Sequence, residues 1–171
     1  MIPATISSLE LCTHAPVLVT GGTGFVAGHI IQQLLSKGYT VRTTVRDIGE
    51  QMAYAHLHKH SSGQALEVVE ANLTDPDSWR AAFEGGVEFV FHVASPYLMK
   101  PQDPEVALME PAVGGTKTIL EYCQNTPSVK KLIFTSCIQT LCNEFDDALE
   151  YDETAWNETA SLTRNSYAYR C

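Results

Sequence analysis

Ten residues, TGGTGFVAGH at 20–29, constrain this chain more than any other stretch. They follow a short apolar run, VLVT (17–20), and open an amphipathic one, GFVAGHIIQQLLSKG (24–38), so the glycines fall between a predicted strand and a predicted helix. Gly22, Gly24 and Ala27 fit G-x-G-x-x-G/A, while Gly21, Gly24 and Ala27 fit the offset G-x-x-G-x-x-G/A; both frames stand. In either, glycine permits a tight turn and a close approach of backbone to a pyrophosphate, whose charge then faces the N-terminus of a helix starting near Gly24. A small third residue lets helix and strand pack closely. The reading is a dinucleotide site in which Thr20, Gly21, Gly22, Gly24, Phe25 and Val26 surround the phosphates.

The alternation continues along the chain. TVRTTVR (40–46) precedes a polar stretch, ALEVVEA (65–71) precedes DPDSWRAAFEGG, VEFVFHVA (87–94) precedes DPEVALMEPAVGGTKTILEYCQ, and KKLIFTS (130–136) comes last. Strands this apolar need cover on both faces, which crossover helices provide in a parallel sheet. The predicted fold is α/β, a Rossmann-like doubly wound parallel sheet. Gly38 caps the first helix at its C-terminus, and Asp75 with Pro76 starts the third. Residues 1–15 read as a loose extension and 16–171 as the nucleotide-binding domain. From 137 to 167 the chain turns acidic and loses periodicity, predicting a long loop of the kind that usually serves a function.

Composition excludes several classes. A formal net charge of -9, from 20 acidic against 11 basic residues, repels phosphate backbones, so nucleic acid is not an expected partner. No run approaches the ~18 apolar residues of a membrane span, and the first sixteen residues lack the charged and apolar regions of a secretory signal. A soluble, cytoplasmic protein is expected. Five cysteines without a CxxC pair imply reduced thiols.

Cofactor choice is expected at the end of the second strand, where an acid binds the ribose hydroxyls of NAD and an arginine accepts the 2′-phosphate of NADP. Arg46, last in the strand's register, favours NADP(H), and Asp47 after it leaves NAD(H) open. Other features read as packing. His56 and His60 in HLHKH lie at i and i+4 but lack a carboxylate or cysteine partner, so no metal is expected. His92 is expected packed at the cofactor cleft, Trp79 and Phe83 on a buried helix face, and Trp156 as a loop anchor. Cys137 has no His or Asp beside it and is not expected to be a catalytic nucleophile.

The motifs together resemble the extended short-chain dehydrogenase/reductases of the epimerase/dehydratase superfamily, and within them the dihydroflavonol reductase and cinnamoyl-CoA reductase group. VLVTGGTGFVAGHIIQQLLSKGYTVRTTVRD, HVASPY, DPEVALMEPAVGGTKTIL, KKLIFTSC and YDETAW carry the resemblance, from about Val17 to Cys171. It implies hydride transfer from NADPH to a carbonyl of a small organic substrate while a tyrosine protonates the oxygen. Carried over by position, the tyrosine is Tyr167, and the residue that orients the carbonyl is Cys137, with Ser136 beside it as a partial substitute. Strand alternation would turn those two to opposite faces. The family's lysine falls at Cys171, which cannot carry positive charge.

By the same resemblance Val93, Ala94 and Ser95 border the cofactor, as do Asn72, in place of an aspartate near the adenine, and Leu73. No basic residue occurs at 51–53 to assist Arg46. The resemblance also implies a chain truncated before its substrate domain, its last strand exposed at Leu132, Ile133 and Phe134, and hence instability of the piece alone. A homodimer is allowed in a full-length parent. A nucleotide-sugar epimerase or dehydratase, and an inactive cofactor-binding fragment, are the alternative functions.

Overall fold

β1 (Val17–Val19), β2 (Val41–Val45), β3 (Leu66–Glu70), β4 (Phe89–His92) and β5 (Lys131–Phe134) form one parallel sheet in the order β3-β2-β1-β4-β5. The computed structural model describes residues 15–58, 65–98, 101–142 and 150–171. Each strand lies inside its predicted apolar run. The chain moves outward from β1 through β2 to β3, then returns to lay β4 on the other side of β1. That reversal leaves a crevice beyond the carboxyl ends of β1 and β4, where open α/β sheets bind ligands.

β1 and β2 are buried throughout because helices cover both faces of the sheet's centre. Successive residues point to opposite faces. Thus Val19 packs with Ala27 and Ile31 of α1 (Phe25–Ser36), while Leu18 packs on the other face with Trp79, Phe83 and Ile119. The expected burial of Trp79 and Phe83 is borne out, and the Trp79 indole N–H also donates to the Asn72 carbonyl at 3.0 Å.

The helix boundaries follow the predicted chemistry. Gly38 adopts the left-handed conformation, φ 83°, and donates to the Leu35 carbonyl at 3.0 Å. Asp75 accepts from the Asp77 N–H at 3.2 Å; the turn it caps, Pro76–Trp79, is a 3₁₀ turn leading into α3 (Arg80–Phe83). The polar stretch after β2 contains α2 (Gln51–His58), held by burial of Tyr54 and Leu57 and by a Tyr54 hydroxyl bond to the Ile48 carbonyl at 2.7 Å. His60 lies outside the described residues.

The run from Glu105 is not one α-helix. Glu105–Gly114 is π-helical and passes into α4 (Gly115–Asn125). Pro111 sits inside it, and because proline cannot donate to the residue four back, a wider turn accommodates it. At the other end of the sheet β5 pairs with β4; Phe134 is 51% exposed, whereas Leu132 and Ile133, expected to be exposed with it, are half-buried, Leu132 against the cluster around Leu18.

Trp156 corrects an expectation. It is 66% exposed, and its neighbour Asn157 organises the loop. The Asn157 amide donates to the carbonyls of Gln139 at 3.0 Å and Cys142 at 2.8 Å, while its Oδ1 accepts from the N–H groups of Thr159 and Ala160. A compact amide reaches four backbone groups where an indole, with one donor, cannot. Among the described residues no helix is long and apolar enough to cross a membrane.

Candidate active site

The glycine loop uses both sequence frames at once. Gly21 has φ 75° and donates to the Thr44 hydroxyl at 3.0 Å; a Cβ here would also stand 3.1 Å from Ala94. Gly22 is pressed against β2, where a Cβ would lie 2.4 Å from the Thr43 hydroxyl oxygen. Gly24 is the N-cap of α1, which has neither a side-chain cap nor an acidic residue in its first turn. The positive end of the helix is therefore left for an external anion. Ala27 is fully buried under α1, whereas Phe25 and Val26 face outward at the mouth.

A buried hydrogen-bonded chain ties this loop to β4. The Thr20 hydroxyl oxygen accepts from the N–H groups of Val93 at 3.0 Å and Ala94 at 2.9 Å, so its own proton goes to His92 Nδ1 at 2.9 Å. His92 Nε2–H then donates to the Thr116 hydroxyl at 3.3 Å. Burial pushes the His92 pKa down to about 4, so the ring is neutral at pH 7 and holds this tautomer. The expectation of a packed histidine at the cleft holds, with the added finding that it couples the ends of β1 and β4 to α4.

Beyond β4 and β5 lies a cavity of about 370 Å³, lined among others by Ser95, Lys117, Ser136, Cys137, Tyr167 and Arg170. Tyr167 rides on α5 (Ser166–Arg170), which is N-capped by Asn165 through its side-chain oxygen and the Ala168 N–H at 3.2 Å. The edge of one ring meets the other between Tyr97 and Tyr167, centroids 5.4 Å apart. On Tyr167 the Arg170 guanidinium stacks 4.1 Å from the centroid, and it also donates to the Ser95 hydroxyl. Arg170 Nε is buried without a hydrogen-bond partner among the described residues.

Ser136 and Cys137 do not diverge as strand alternation predicted. β5 ends at Phe134, so its period does not extend to them, and both line the same cavity. The Ser136 hydroxyl lies 3.0 Å from that of Thr140, and Cys137 Sγ lies 3.9 Å from the same oxygen. Cys137 Sγ is 2.9 Å from Cys171 Sγ, so the two positions to which the resemblance assigns a serine and a lysine hold two touching thiols. Burial opposes ionisation of Cys137, but its contact with the Cys171 sulfur and hydrogen bonds from residues 139 and 140 outweigh it and hold its pKa below the usual thiol range. Cys171 is pushed up to about 11 by burial and by its bond to Cys137.

Arg46 and Asn72 stand apart from this cavity, just beyond β2 and β3. Arg46 is exposed, whereas Asp47 turns back to accept from the Gly49 N–H at 2.7 Å. Asn72 Oδ1 accepts from the N–H and hydroxyl of Thr74 at 3.1 and 3.0 Å. Leu73 lies against Gly115, where a Cβ would be 2.7 Å from its side chain. Sequence reasoning missed Thr116, Lys117 and Arg170. Only Arg170 had a local signal, its spacing of three residues from Tyr167 on one helix face.

Known proteins share the fold and the sequence of this chain. Anthocyanidin reductase of Arabidopsis thaliana is 38% identical over 147 residues, covering 85% of this chain and 43% of that protein. Dihydroflavonol 4-reductase of Solanum lycopersicum is 38% identical over 151 residues, covering 85% and 40%. Among solved structures, yeast methylglyoxal/isovaleraldehyde reductase complexed with NADPH superposes with a TM-score of 0.79 at 25% identity, over 91% of this chain and 49% of that one. Vestitone reductase from alfalfa gives 0.71 at 33% identity, over 91% and 48%. The chain thus spans less than half the length of these relatives, and the expected likeness to the dihydroflavonol reductase group is borne out. The model of the 3-beta hydroxysteroid dehydrogenase/isomerase family matches residues 18–169, and the chain belongs to that family.

Proposed function

We propose that this chain is the cofactor-binding and proton-donating part of an NADP(H)-dependent reductase that converts a ketone or aldehyde of a small organic molecule to an alcohol. The observation that carries the reading is the meeting of Tyr167, Ser136 and Ser95 in one cavity beside the crevice to which the glycine loop also turns. Its relatives named as reductases, and a structural neighbour complexed with NADPH, support the same chemistry.

The residues present fit a dinucleotide. Gly21 and Gly22 leave no room for a side chain, and the uncapped start of α1 presents its N–H groups to a pyrophosphate. Asn72 and Leu73 would border the adenine end, and Val93, Ala94 and Ser95 the nicotinamide end. Arg46 is free to meet a 2′-phosphate, while Asp47 is engaged in its own turn, which favours NADP(H) over NAD(H). The cofactor, when bound, supplies hydride.

The chain's own groups do the rest. The Tyr167 hydroxyl donates its proton to the carbonyl oxygen as negative charge develops there. Ser136 Oγ–H, steadied by Thr140, donates a hydrogen bond to the same oxygen and orients it. Arg170 fixes the Tyr167 ring by stacking on one face, with Tyr97 bracing its edge. The thiols of Cys137 and Cys171, weak donors in place of a hydroxyl and an ammonium, favour a second reading in which the chain binds cofactor without reducing anything.

One titration followed by turnover separates these readings. NADPH should bind the purified chain at least ~10-fold more tightly than NADH by cofactor fluorescence, and Arg46→Ala should erase the preference. Consumption of NADPH with a panel of small aldehydes and ketones, reduced about 10²- to 10⁴-fold in Tyr167→Phe, establishes the reductase. Binding without consumption leaves the second reading, and absence of binding refutes both.

A further inference from the structure

Within the cavity two sulfur atoms from distant parts of the chain face one another. Cys137 follows β5, and Cys171 follows α5, yet their Sγ atoms are 2.9 Å apart, against a covalent S–S bond of about 2.05 Å. The remaining described cysteines have no such neighbour. Cys123 packs beside a hydrophobic cluster from α4, and Cys142 is half-buried in the loop.

We propose that Cys137 and Cys171 are a redox dithiol, a modification site that closes to a disulfide by exchange with a small-molecule disulfide of the glutathione type.

The roles of the two sulfurs differ. Cys137, whose pKa is lowered, is the attacking thiolate; Cys171, pushed up to about 11, remains a thiol until the second step. The Cys137 thiolate attacks one sulfur of the reagent, its S–S bond breaks, and one thiolate leaves with the electron pair. The mixed disulfide now sits against Cys171, whose proton passes to the departed thiolate or to water. Cys171 sulfur then attacks Cys137 Sγ and expels the second thiolate, which takes up a proton. The protein has lost two hydrogens, and the reagent has become two thiols.

The linkage would fasten α5, which is held by burial of Ala168, by ring contacts of Tyr167 and by hydrogen bonds. Cys171 directly follows the α5 residues Tyr167 and Arg170, and Cys171 Sγ already donates to the Tyr167 carbonyl at 3.3 Å. A bond to Cys137 ties that helix to the end of β5 and fixes Tyr167 beside Ser136. None of this requires the reductase reading, since it follows from the thiols and their separation alone.

The test is mass mapping of the purified full chain after incubation with oxidised glutathione at neutral pH, acid quench and non-reducing digestion. The expected product has lost two hydrogens, contains one cross-linked pair joining 137 to 171, and reverts with dithiothreitol. Cys171→Ser should trap glutathione on Cys137, and Cys137→Ser should slow modification of Cys171 at least ~10-fold. A parallel reaction in urea sets the pairing pattern of an unfolded chain. If the native sample matches that pattern, or pairs Cys137 with Cys12, Cys123 or Cys142 to a similar yield, the proposal fails. It fails equally if glutathione stays on Cys137 of the unsubstituted chain while Cys171 remains free.

Discussion

The two sides of the sheet are built differently. Around β1 and β2 every strand residue is buried and helices cover both faces; β5, which leads into the cavity, has two exposed and two half-buried residues. The glycine turn rests on the first side, held by packing and by backbone bonds to β2. Tyr167, Ser136 and the thiols rest on the second, held by Asn157, by stacking on Arg170 and by sulfur contact. The difference teaches that the glycine turn and the Tyr167 cavity draw on separate sources of order, so perturbations should separate them.

Side-chain deletion should break the symmetry most visibly. Trp79 is 1% exposed and also satisfies the Asn72 carbonyl, so Trp79→Ala should cost about 3–5 kcal/mol. Phe134 is half in solvent on β5, and Phe134→Ala should cost less than about 1.5 kcal/mol. Urea unfolding of both variants measures the contrast. Equal losses would mean that β5 is as well covered as the centre.

The seam between the two sides is His92, and pH probes it. Burial lowers its pKa from 6.5 to about 4, so between those values the unfolded chain binds more protons than the folded one. Stability therefore rises with pH across this window. The His92 contribution is complete above about 6.5, is lost as pH falls toward 4, and amounts to about 3 kcal/mol. Carboxylates titrate there too, so the measured quantity is the change in stability between pH 6.5 and 4, which should be smaller in His92→Gln than in the unsubstituted chain by about that amount.

A smaller effect is expected in the turn itself. The Cβ of Gly22→Ala would overlap the Thr43 side chain, and β2 has helices on both faces, leaving Thr43 little room to yield. A cost of about 1–3 kcal/mol follows, together with weaker NADPH binding. The Asn157 loop should remain unaltered, as hydrogen exchange at Thr159 and Ala160 would report.

How much of this was legible depended on whether the signal was local. Strands, glycine turn, Gly38 and Asp75 were readable because apolar period and cap chemistry act within a few residues. The cavity was readable only in part: resemblance placed Tyr167, Cys137 and Ser136, but extending strand alternation past Phe134 misdirected Ser136. Trp156 misled because a large aromatic in a loop suggests burial, whereas the loop's backbone needed an amide, and Asn157 supplies it. The Thr20–His92–Thr116 chain and the sulfur pair join residues tens of positions apart, and nothing in the spacing of a single sequence encodes such meetings.

The last contrast lies in two ion pairs, one on each side. Arg42 bonds Glu67 at 2.7 Å and also the carbonyls of Ala82 at 3.1 Å and Glu84 at 2.7 Å, so one buried guanidinium joins β2, β3 and the end of α3. Lys130 pairs with Glu88 beside β5, its side chain 63% exposed. Arg42→Met would strand the two carbonyls that share Nη1 and leave Glu67 without its Nε partner, and should cost about 1–3 kcal/mol. Lys130→Met removes a solvent-screened partner and should cost less than about 1 kcal/mol. Raising the salt concentration sharpens the comparison, since screening should weaken the Lys130 pair and leave the Arg42 bonds to the Ala82 and Glu84 carbonyls almost untouched. Equal sensitivity of the two pairs would show that water reaches Arg42 and that the β2 side is less sealed than its burial indicates.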